Sequence, residues 1–369
     1  MKGKKVKIII ADSSVVYRTQ IRNALVDTPW IEVQGVASGG RLALDRVAHH
    51  HSDLLILDLE MPDMSGVETL KEVRARNLPC KVLVFSSVSA HERGITNEAL
   101  VAGGSDYVLK PETDGKGILQ VANPAELLKN ILVPKIAQLF SHIIDKPNRE
   151  AKLPPAKQSA FPTVNIDRTF HPEIIIIGSS TGGPTVLEKI FSEVRGPIEC
   201  PIVIVQHMPP GFTKTFAERL EQLSGIPSRE AIHGETLQSN RMYLAPGDYH
   251  LRLHSQRGQV SLLLDQEALV NSVRPSVDLL FESASSIYGN KCLALVLTGM
   301  GADGKDGAIQ VKNRGGGVVI QSEDSCVVFG MPGAVYLAGA YDKIANPVEI
   351  IELLKEKTGF KKSGNGMAS

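Results

Sequence analysis

The stretch Ile174-Ile175-Ile176-Ile177-Gly178-Ser179-Ser180-Thr181-Gly182-Gly183-Pro184 sets strand, turn and helix end to end, with a serine at the bend. Four consecutive isoleucines read as a strand buried on both faces of a parallel sheet. Gly178-x-Ser180-x-Gly182 follows at once, and Pro184 opens a helical pattern carried by Val186, Leu187, Ile190 and Phe191. Flanking glycines permit a tight bend that lifts the Ser180 hydroxyl clear of the sheet. The helix N-terminus beyond it offers backbone N–H groups to a developing oxyanion. This pattern points to Ser180 as a nucleophile. On the motif alone, two other readings stay open: a Ser/Gly-rich turn without chemistry, and a loop that cradles phosphate. The spacing fits neither G-x-G-x-x-G nor G-x-x-x-x-G-K-[ST].

A serine nucleophile needs a base, and the base needs an orienting group. His207 follows the apolar run Ile202-Val203-Ile204-Val205-Gln206, and Asp303 follows Leu293–Leu297 through Thr298-Gly299-Met300-Gly301-Ala302. If the three strands are parallel neighbours, Ser180, His207 and Asp303 meet at one carboxyl edge. Other histidines compete weakly. His49, His50, His51, His91 and His142 lie in the other half of the chain, and His233, His250 and His254 sit in or beside a polar hairpin region. Asp306, a helical turn past Asp303, reads as surface. The order Ser, His, Asp differs from the Ser, Asp, His order of α/β-hydrolases that share the G-x-S-x-G turn, so that fold is excluded.

The chain has 369 residues, 43% of them hydrophobic, which is enough for two domains with their own cores. Strands are expected at Val6–Ala11, Ile31–Ala37, Asp53–Asp58, Lys81–Phe85 and Asp106–Leu109, with a closing helix over Ala125–His142. From Glu173 the alternation resumes, with strands at Ile174–Ile177, Pro201–Gln206, Cys292–Thr298 and Gly317–Gln321. Arg241–Leu264 reads as short antiparallel strands inserted into that pattern. The expected fold class is α/β with two doubly wound, mostly parallel-sheet domains. The first is a (βα)5 flavodoxin-like unit, and the second is larger and carries an antiparallel hairpin region. Domains are expected at 1–143 and 172–358. Between them lies a linker, 144–171, punctuated by Pro147, Pro154, Pro155 and Pro162, and the chain ends in a polar tail, 359–369.

Lys plus Arg (40) equals Asp plus Glu (40), so nothing points to a phosphate-dominated affinity for nucleic acid. Cys80, Cys200, Cys292 and Cys326 are scattered and read as small hydrophobes in a reducing compartment, with neither disulfide nor metal spacing. The basic N-terminus is followed by an apolar run that stops at Asp12, too short for a signal peptide, and no run approaches a membrane span. A cytoplasmic protein is expected.

In the first half, Asp12, Asp58, Ser86-Ser87 and Lys110-Pro111 end the first, third, fourth and fifth strands and converge on one crevice. Two close carboxylates favour a divalent hard cation, which would neutralise a phosphoryl group arriving at Asp58.

Leu57-Asp58-Leu59-Glu60-Met61-Pro62-Asp63-Met64-Ser65-Gly66 resembles the phospho-acceptor motif of response-regulator receiver domains, and the likeness covers nearly all of residues 5–143. The resemblance implies that Asp58 accepts phosphate from a sensor histidine kinase, that Ser86 is the switch hydroxyl and that Lys110 contacts the phosphate. It also implies Mg²⁺ held by Asp12, Asp58 and the Glu60 carbonyl. One position departs. Ala11-Asp12-Ser13-Ser14 carries Ser13 where receivers place a second acid, which implies weaker Mg²⁺ binding, compensated in part by the Glu60 side chain.

Residues from about 172 to 355 resemble the catalytic domain of chemotaxis-type protein-glutamate methylesterases. The likeness rests on Gly178–Gly183, Gln206–Phe212, Tyr243–Asp248, Arg274–Asp278, Leu297–Gly304 and Ser325–Pro332, in that order. It implies Ser180 as nucleophile, His207 as general base and acid, Asp303 as orienting carboxylate, and backbone N–H groups at Thr181 and Met300 as oxyanion donors. The implied substrates are glutamyl γ-methyl esters on cytoplasmic helices of chemoreceptors, with glutamine deamidation as a second activity and no cofactor for the esterase. Met208-Pro209-Pro210-Gly211-Phe212 reads either as part of a substrate groove or as a rigid turn with a core Phe. A receiver joined by a hinge implies an inhibitory cover that phosphorylation loosens. The rival reading is a non-catalytic signalling adaptor, which the presence of all three triad residue types disfavours.

Overall fold

The computed structural model describes residues 5–87, 95, 96, 98–100, 102–111, 123–140, 161, 164–166 and 170–358. The chain divides into two compact units, Met1–Leu153 and Pro154–Ser369.

In the first unit the elements are β1 (Val6–Ala11), α1 (Val15–Val26), β2 (Ile31–Ala37), α2 (Gly40–His50), β3 (Leu54–Leu57), α3 (Gly66–Ala75), β4 (Lys81–Ser86), β5 (Asp106–Leu109) and α4 (Pro124–Leu139). The sheet runs β2-β1-β3-β4-β5 and every pair is parallel. The last helix starts where Asn123 accepts from the Glu126 N–H (3.1 Å) and Pro124 occupies the first turn. Its expected end at His142 lies outside the described residues. Because Ala11 of β1 is in register with Leu57 of β3, the next residues, Asp12 and Asp58, leave the sheet side by side.

The second unit comprises β6 (Ile174–Ser179), α5 (Gly183–Glu193), β7 (Ile202–Gln206), α6 (Phe212–Ser224), β8 (Ser228–Glu230), β9 (Met242–Leu244), β10 (His250–Gln256), β11 (Gln259–Asp265), α7 (Val277–Tyr288), β12 (Cys292–Val296), α8 (Lys305–Asn313), β13 (Gly317–Gln321), α9 (Met331–Ala338), β14 (Lys343–Ala345) and α10 (Pro347–Lys357). Its seven-stranded sheet is ordered β14-β13-β12-β6-β7-β9-β8. All ladders in it are parallel. Strand β6 lies at the centre, and its four isoleucines are fully buried. Burial of each contributes about 1.5–3 kcal/mol. The chain winds outward from β6 through β7 on one side and returns through β12 on the other. The topological switch point therefore falls at β6, where such folds leave a crevice above the strand ends.

One expectation is corrected. Within Arg241–Leu264 only β10 and β11 are antiparallel; Met242–Leu244 joins the main sheet parallel to β7. A three-residue apolar strand carries too little pattern to declare its direction, which its pairing partner decides.

Residues at the end of the expected linker pack on the second unit. The Val164 N–H donates to Asp342 Oδ1 (2.7 Å), and Ile166 and Phe170 are buried. Asp342 also accepts from the Val318 N–H (2.8 Å) and pairs with the fully buried Lys312. No described helix is long and apolar enough to cross a membrane, and all four cysteines are free.

Candidate active site

The bend after β6 is built by three adjacent strands. From β7, the buried Gln206 accepts from Ser179 Oγ (2.7 Å) and donates to the Ser180 carbonyl (2.9 Å). Beyond β12, the Thr298 carbonyl accepts from the Ser180 N–H (3.1 Å), and Thr298 Oγ1 donates to the Thr181 carbonyl (3.0 Å). Thr298 is itself held by Gln321 of β13, whose Oε1 accepts from its N–H (2.8 Å). The serine thus sits on a backbone clamped from both sides. The two glycines of the motif act differently. Gly182 has φ +79 and makes the turn. Gly178 still belongs to β6 and is required by close packing, since a Cβ there would lie 2.3 Å from Val277 Cγ1. Helix α5 then begins at Gly183, directly after the bend, with Pro184 in its first turn.

His207 follows β7 and lies beside the elbow: its N–H donates to the Ser179 carbonyl (3.0 Å). Its ring Nε2 is 2.9 Å from Asp303 Oδ2. The same oxygen accepts from the Val277 N–H (2.6 Å). Oδ1 accepts from Ser276 Oγ (2.8 Å), Asn271 Nδ2 (3.1 Å) and the Asp278 N–H (3.2 Å). Asp303 therefore caps the N-terminus of α7 while it holds the imidazole. Burial alone would raise its pKa. The hydrogen bond and charge of His207, with the Val277 N–H and Ser276 hydroxyl, outweigh burial and bring it down to about 2. An ionised Asp303 accepts, so the proton in this contact lies on Nε2. No hydrogen bond joins Ser180 Oγ to His207 among the described residues.

The neighbouring loops are cross-braced. The Gly299 N–H donates to the Val328 carbonyl (3.1 Å), while the Gly299 carbonyl accepts from Gly330 (3.0 Å) and Met331 (2.9 Å). This pins the backbone next to Met300, whose side chain is exposed and whose N–H donates to no group among the described residues. Arg274 bonds Asp248 Oδ1 through Nε (3.0 Å) and Nη2 (2.6 Å), and the carbonyls of Gln266 and Glu267 through Nη1 (2.9 and 2.7 Å). Phe212 is fully buried at the start of α6, so the core-Phe reading of its segment holds for that residue.

In the first unit, Lys110 Nζ lies 2.8 Å from Asp58 Oδ1 and 3.0 Å from Asp12 Oδ2. Ser13 donates to Asp58 Oδ2 through Oγ (3.1 Å) and through its N–H (3.3 Å). Ser86 Oγ is 2.6 Å from Thr96 Oγ1, and the exposed Glu60 donates its N–H to Asp58 Oδ1 (3.3 Å). Burial and then the Asp58 charge raise the pKa of Asp12 to about 6 despite Lys110. Burial opposes the charge on Lys110, yet Asp12 and Asp58 hold its pKa above the ordinary value. Asp12 Oδ2 is buried, and its partner is the Lys110 ammonium. Two buried carboxylates that share one cationic partner make a set of hard oxygen donors that suits a divalent cation. The described residues contain no group of three or more His, Cys, Asp or Glu placed to hold a metal.

Comparison with known proteins matches residues 175–354 to the CheB methylesterase family and residues 8–122 to the response regulator receiver domain. A protein-glutamate methylesterase/protein-glutamine glutaminase of Trichodesmium erythraeum is 38% identical over 96% of this chain and 99% of its own. The chain belongs to the CheB methylesterase family. A Thermotoga maritima relative of the same description is 34% identical over 96% of this chain and 99% of its own. The crystal structure of the Thermotoga maritima CheB methylesterase catalytic domain is 45% identical, covers 50% of this chain and 98% of that chain, and has a TM-score of 0.49.

For a CheB-family chain, the sequence-predicted residues are grouped as follows. His207 and Asp303 touch, and Ser180 lies on the next strand's turn. Asp12, Asp58 and Lys110 touch, while Ser86 contacts Thr96. Sequence reasoning missed Gln206 and Thr298, which clamp the bend, and Asn271, Ser276 and Asp278, which surround Asp303. It also passed over His250, which is fully buried and accepts from the Ser276 N–H through Nδ1 (3.2 Å). Gln206 sat inside a matched segment, and its polarity at the end of an apolar strand was the available signal. Asn271 offered none, since its role depends on a loop folding back.

Proposed function

We propose that this protein hydrolyses glutamyl γ-methyl esters on chemoreceptors, with Ser180 as nucleophile, His207 as base and Asp303 as its orienting carboxylate. The hydrogen bond from His207 Nε2 to Asp303 Oδ2, beside a clamped serine turn at the switch point, carries the reading. Ser180 Oγ attacks the ester carbonyl while His207 Nδ1 takes its proton, and the imidazolium is stabilised by Asp303. The ring nitrogens have exchanged tasks relative to the serine-protease arrangement, in which Nδ1 faces the carboxylate. Backbone N–H groups of Thr181 and Met300 would receive the oxyanion. Collapse expels methoxide, which takes the proton from His207 and leaves as methanol, giving an acyl-enzyme. Water then attacks with His207 again as base, releasing Ser180 and a glutamate carboxylate. A glutamine amide would follow the same path with ammonia as leaving group, consistent with the glutaminase activity in the names of its relatives.

The receiver unit is proposed to take a phosphoryl group on Asp58 from a sensor histidine kinase and to regulate the esterase. Asp12, Asp58 and the Glu60 carbonyl would hold Mg²⁺, which when bound neutralises charge on the incoming phosphoryl group. Lys110 contributes a second positive charge at the acceptor, and Ser13 contributes a hydroxyl where the family motif has a carboxylate. Methanol release from methylated receptor, measured with and without a small phosphodonor, tests both parts. Release that depends on Ser180 and rises with the phosphodonor supports them, and no release from any methylated receptor overturns the first.

A further inference from the structure

The carboxylate that orients His207 has a second carboxylate at its side. Asp278 is buried in the first turn of α7, accepting from the Gly307 N–H through Oδ1 (2.7 Å) and from Asn271 Nδ2 through Oδ2 (2.7 Å). The same Asn271 nitrogen donates to Asp303 Oδ1 (3.1 Å). One amide group thus bridges two acids in a site where their repulsion is poorly screened. Burial, opposed by the Gly307 N–H and reinforced by the charge of Asp303, raises the pKa of Asp278 to about 6. Among the other charges nearby, Asp306 adds a smaller push in the same direction. Asp306 is exposed and paired with Lys305 (3.1 Å), Arg274 is turned to Asp248, and His250 meets Asp303 only through Ser276.

Asn271 is not needed to close its own loop. Val270 and Val273 exchange backbone hydrogen bonds (3.2 and 3.0 Å), and Arg274 anchors the far end. Asn271 is exposed and adopts a left-handed backbone with φ 52, a conformation asparagine tolerates better than most residues. Only its amide reaches inward.

We propose that Asn271 is a positioning residue for the triad: by donating to both acids it separates the charges of Asp278 and Asp303 and keeps Asp303 aimed at His207. The inference rests on the assignment of Ser180, His207 and Asp303 as a triad. Its test uses the full-length protein, methylated receptor as substrate, and the variants Asn271→Gly, Asp278→Asn and the double variant. Glycine removes the amide at a position whose φ suits it. Asn271→Gly is expected to lower kcat about 5–30-fold with KM within about twofold, the size of a charge-assisted hydrogen bond partly replaced by water. Asp278→Asn alone should also lower kcat, because one amide then faces another. The double variant should recover to within about threefold of wild type, since a neutral residue 278 no longer needs the bridge. Recovery is not expected if Asn271 serves only as loop structure, so additive losses overturn the proposal, as does an Asn271→Gly enzyme with wild-type kcat. Should Asn271→Gly fail to fold, the double variant still decides: it must fold and turn over, and its failure also overturns the proposal. Ser180→Ala in the same assay separates the two readings, because retained turnover there removes the triad itself.

Discussion

Asparagine at position 303 tests the electrostatics of the site more sharply than alanine, because it keeps the shape and removes only the charge. Each oxygen of Asp303 already faces donors: His207 Nε2 and the Val277 N–H at Oδ2, and Ser276 Oγ, Asn271 Nδ2 and the Asp278 N–H at Oδ1. An amide must point its NH₂ at one set or the other, whichever way it turns. The carboxylate is depressed from an ordinary 3.8 to about 2, and at about 1.36 kcal/mol per unit its ionised form contributes about 2 kcal/mol to folding. For a unit of this size the melting temperature should fall by about 4–8 °C at neutral pH. The sign follows from the direction of the shift. A depressed carboxylate stabilises above its unfolded pKa, so the gap between wild type and Asp303→Asn should be complete above about pH 4 and shrink as pH falls toward about 2. Catalysis should suffer more. Loss of the charge that holds the proton-bearing Nε2 is expected to lower kcat about 10⁴-fold, equivalent to about 5 kcal/mol of transition-state stabilisation. Methanol-release kinetics and thermal melts across pH read the two effects separately. A kcat within tenfold of wild type, or a melting gap that does not narrow on acidification, would refute the reasoning.

Gln206→Ala should lower kcat about 10–100-fold and cost about 1–3 kcal/mol in denaturant unfolding, because it strands Ser179 Oγ and frees the Ser180 carbonyl; unchanged kinetics would show that the clamp is dispensable. Ser13→Asp restores a second acid beside Asp12 and should tighten Mg²⁺ on the order of tenfold by calorimetric titration, one added charge being worth about 1.4 kcal/mol. Equal affinities would mean that the missing carboxylate does not matter. A fragment beginning near residue 160, upstream of the Val164 N–H bond to Asp342, is expected to exceed the unphosphorylated full chain in activity by about 5–150-fold, for a coupling of about 1–3 kcal/mol. Equal rates would remove inhibition by the receiver.

Long, uniformly apolar strands were legible because their burial is written in every residue. Ile174–Ile177, Ile202–Val205 and Val82–Phe85 stand out as runs that only a sheet covered on both faces accommodates. Their ends place His207 and Asp303 on one edge, since a parallel sheet gathers its carboxyl ends. Short edge strands such as Ser228–Glu230 and Lys343–Ala345 carried no periodicity and owe their existence to pairing with β9 and β13. The residues that tune the site were hidden for a related reason. Asn271 and Asp278 lie seven positions apart and join only when the loop before α7 folds back over Asp303. Gly178 was visible as a motif glycine, but its reason, the approach of Val277, belongs to packing between β6 and α7.

The central claim is that Ser180 is an activated nucleophile served by His207. Reaction of the full-length protein with a serine-directed phosphonate, followed by mass mapping, addresses it directly. The adduct should fall on Ser180, vanish in Ser180→Ala and form at least about 10³-fold more slowly in His207→Ala. Adduct on another serine, or equal labelling rates with and without His207, would contradict it.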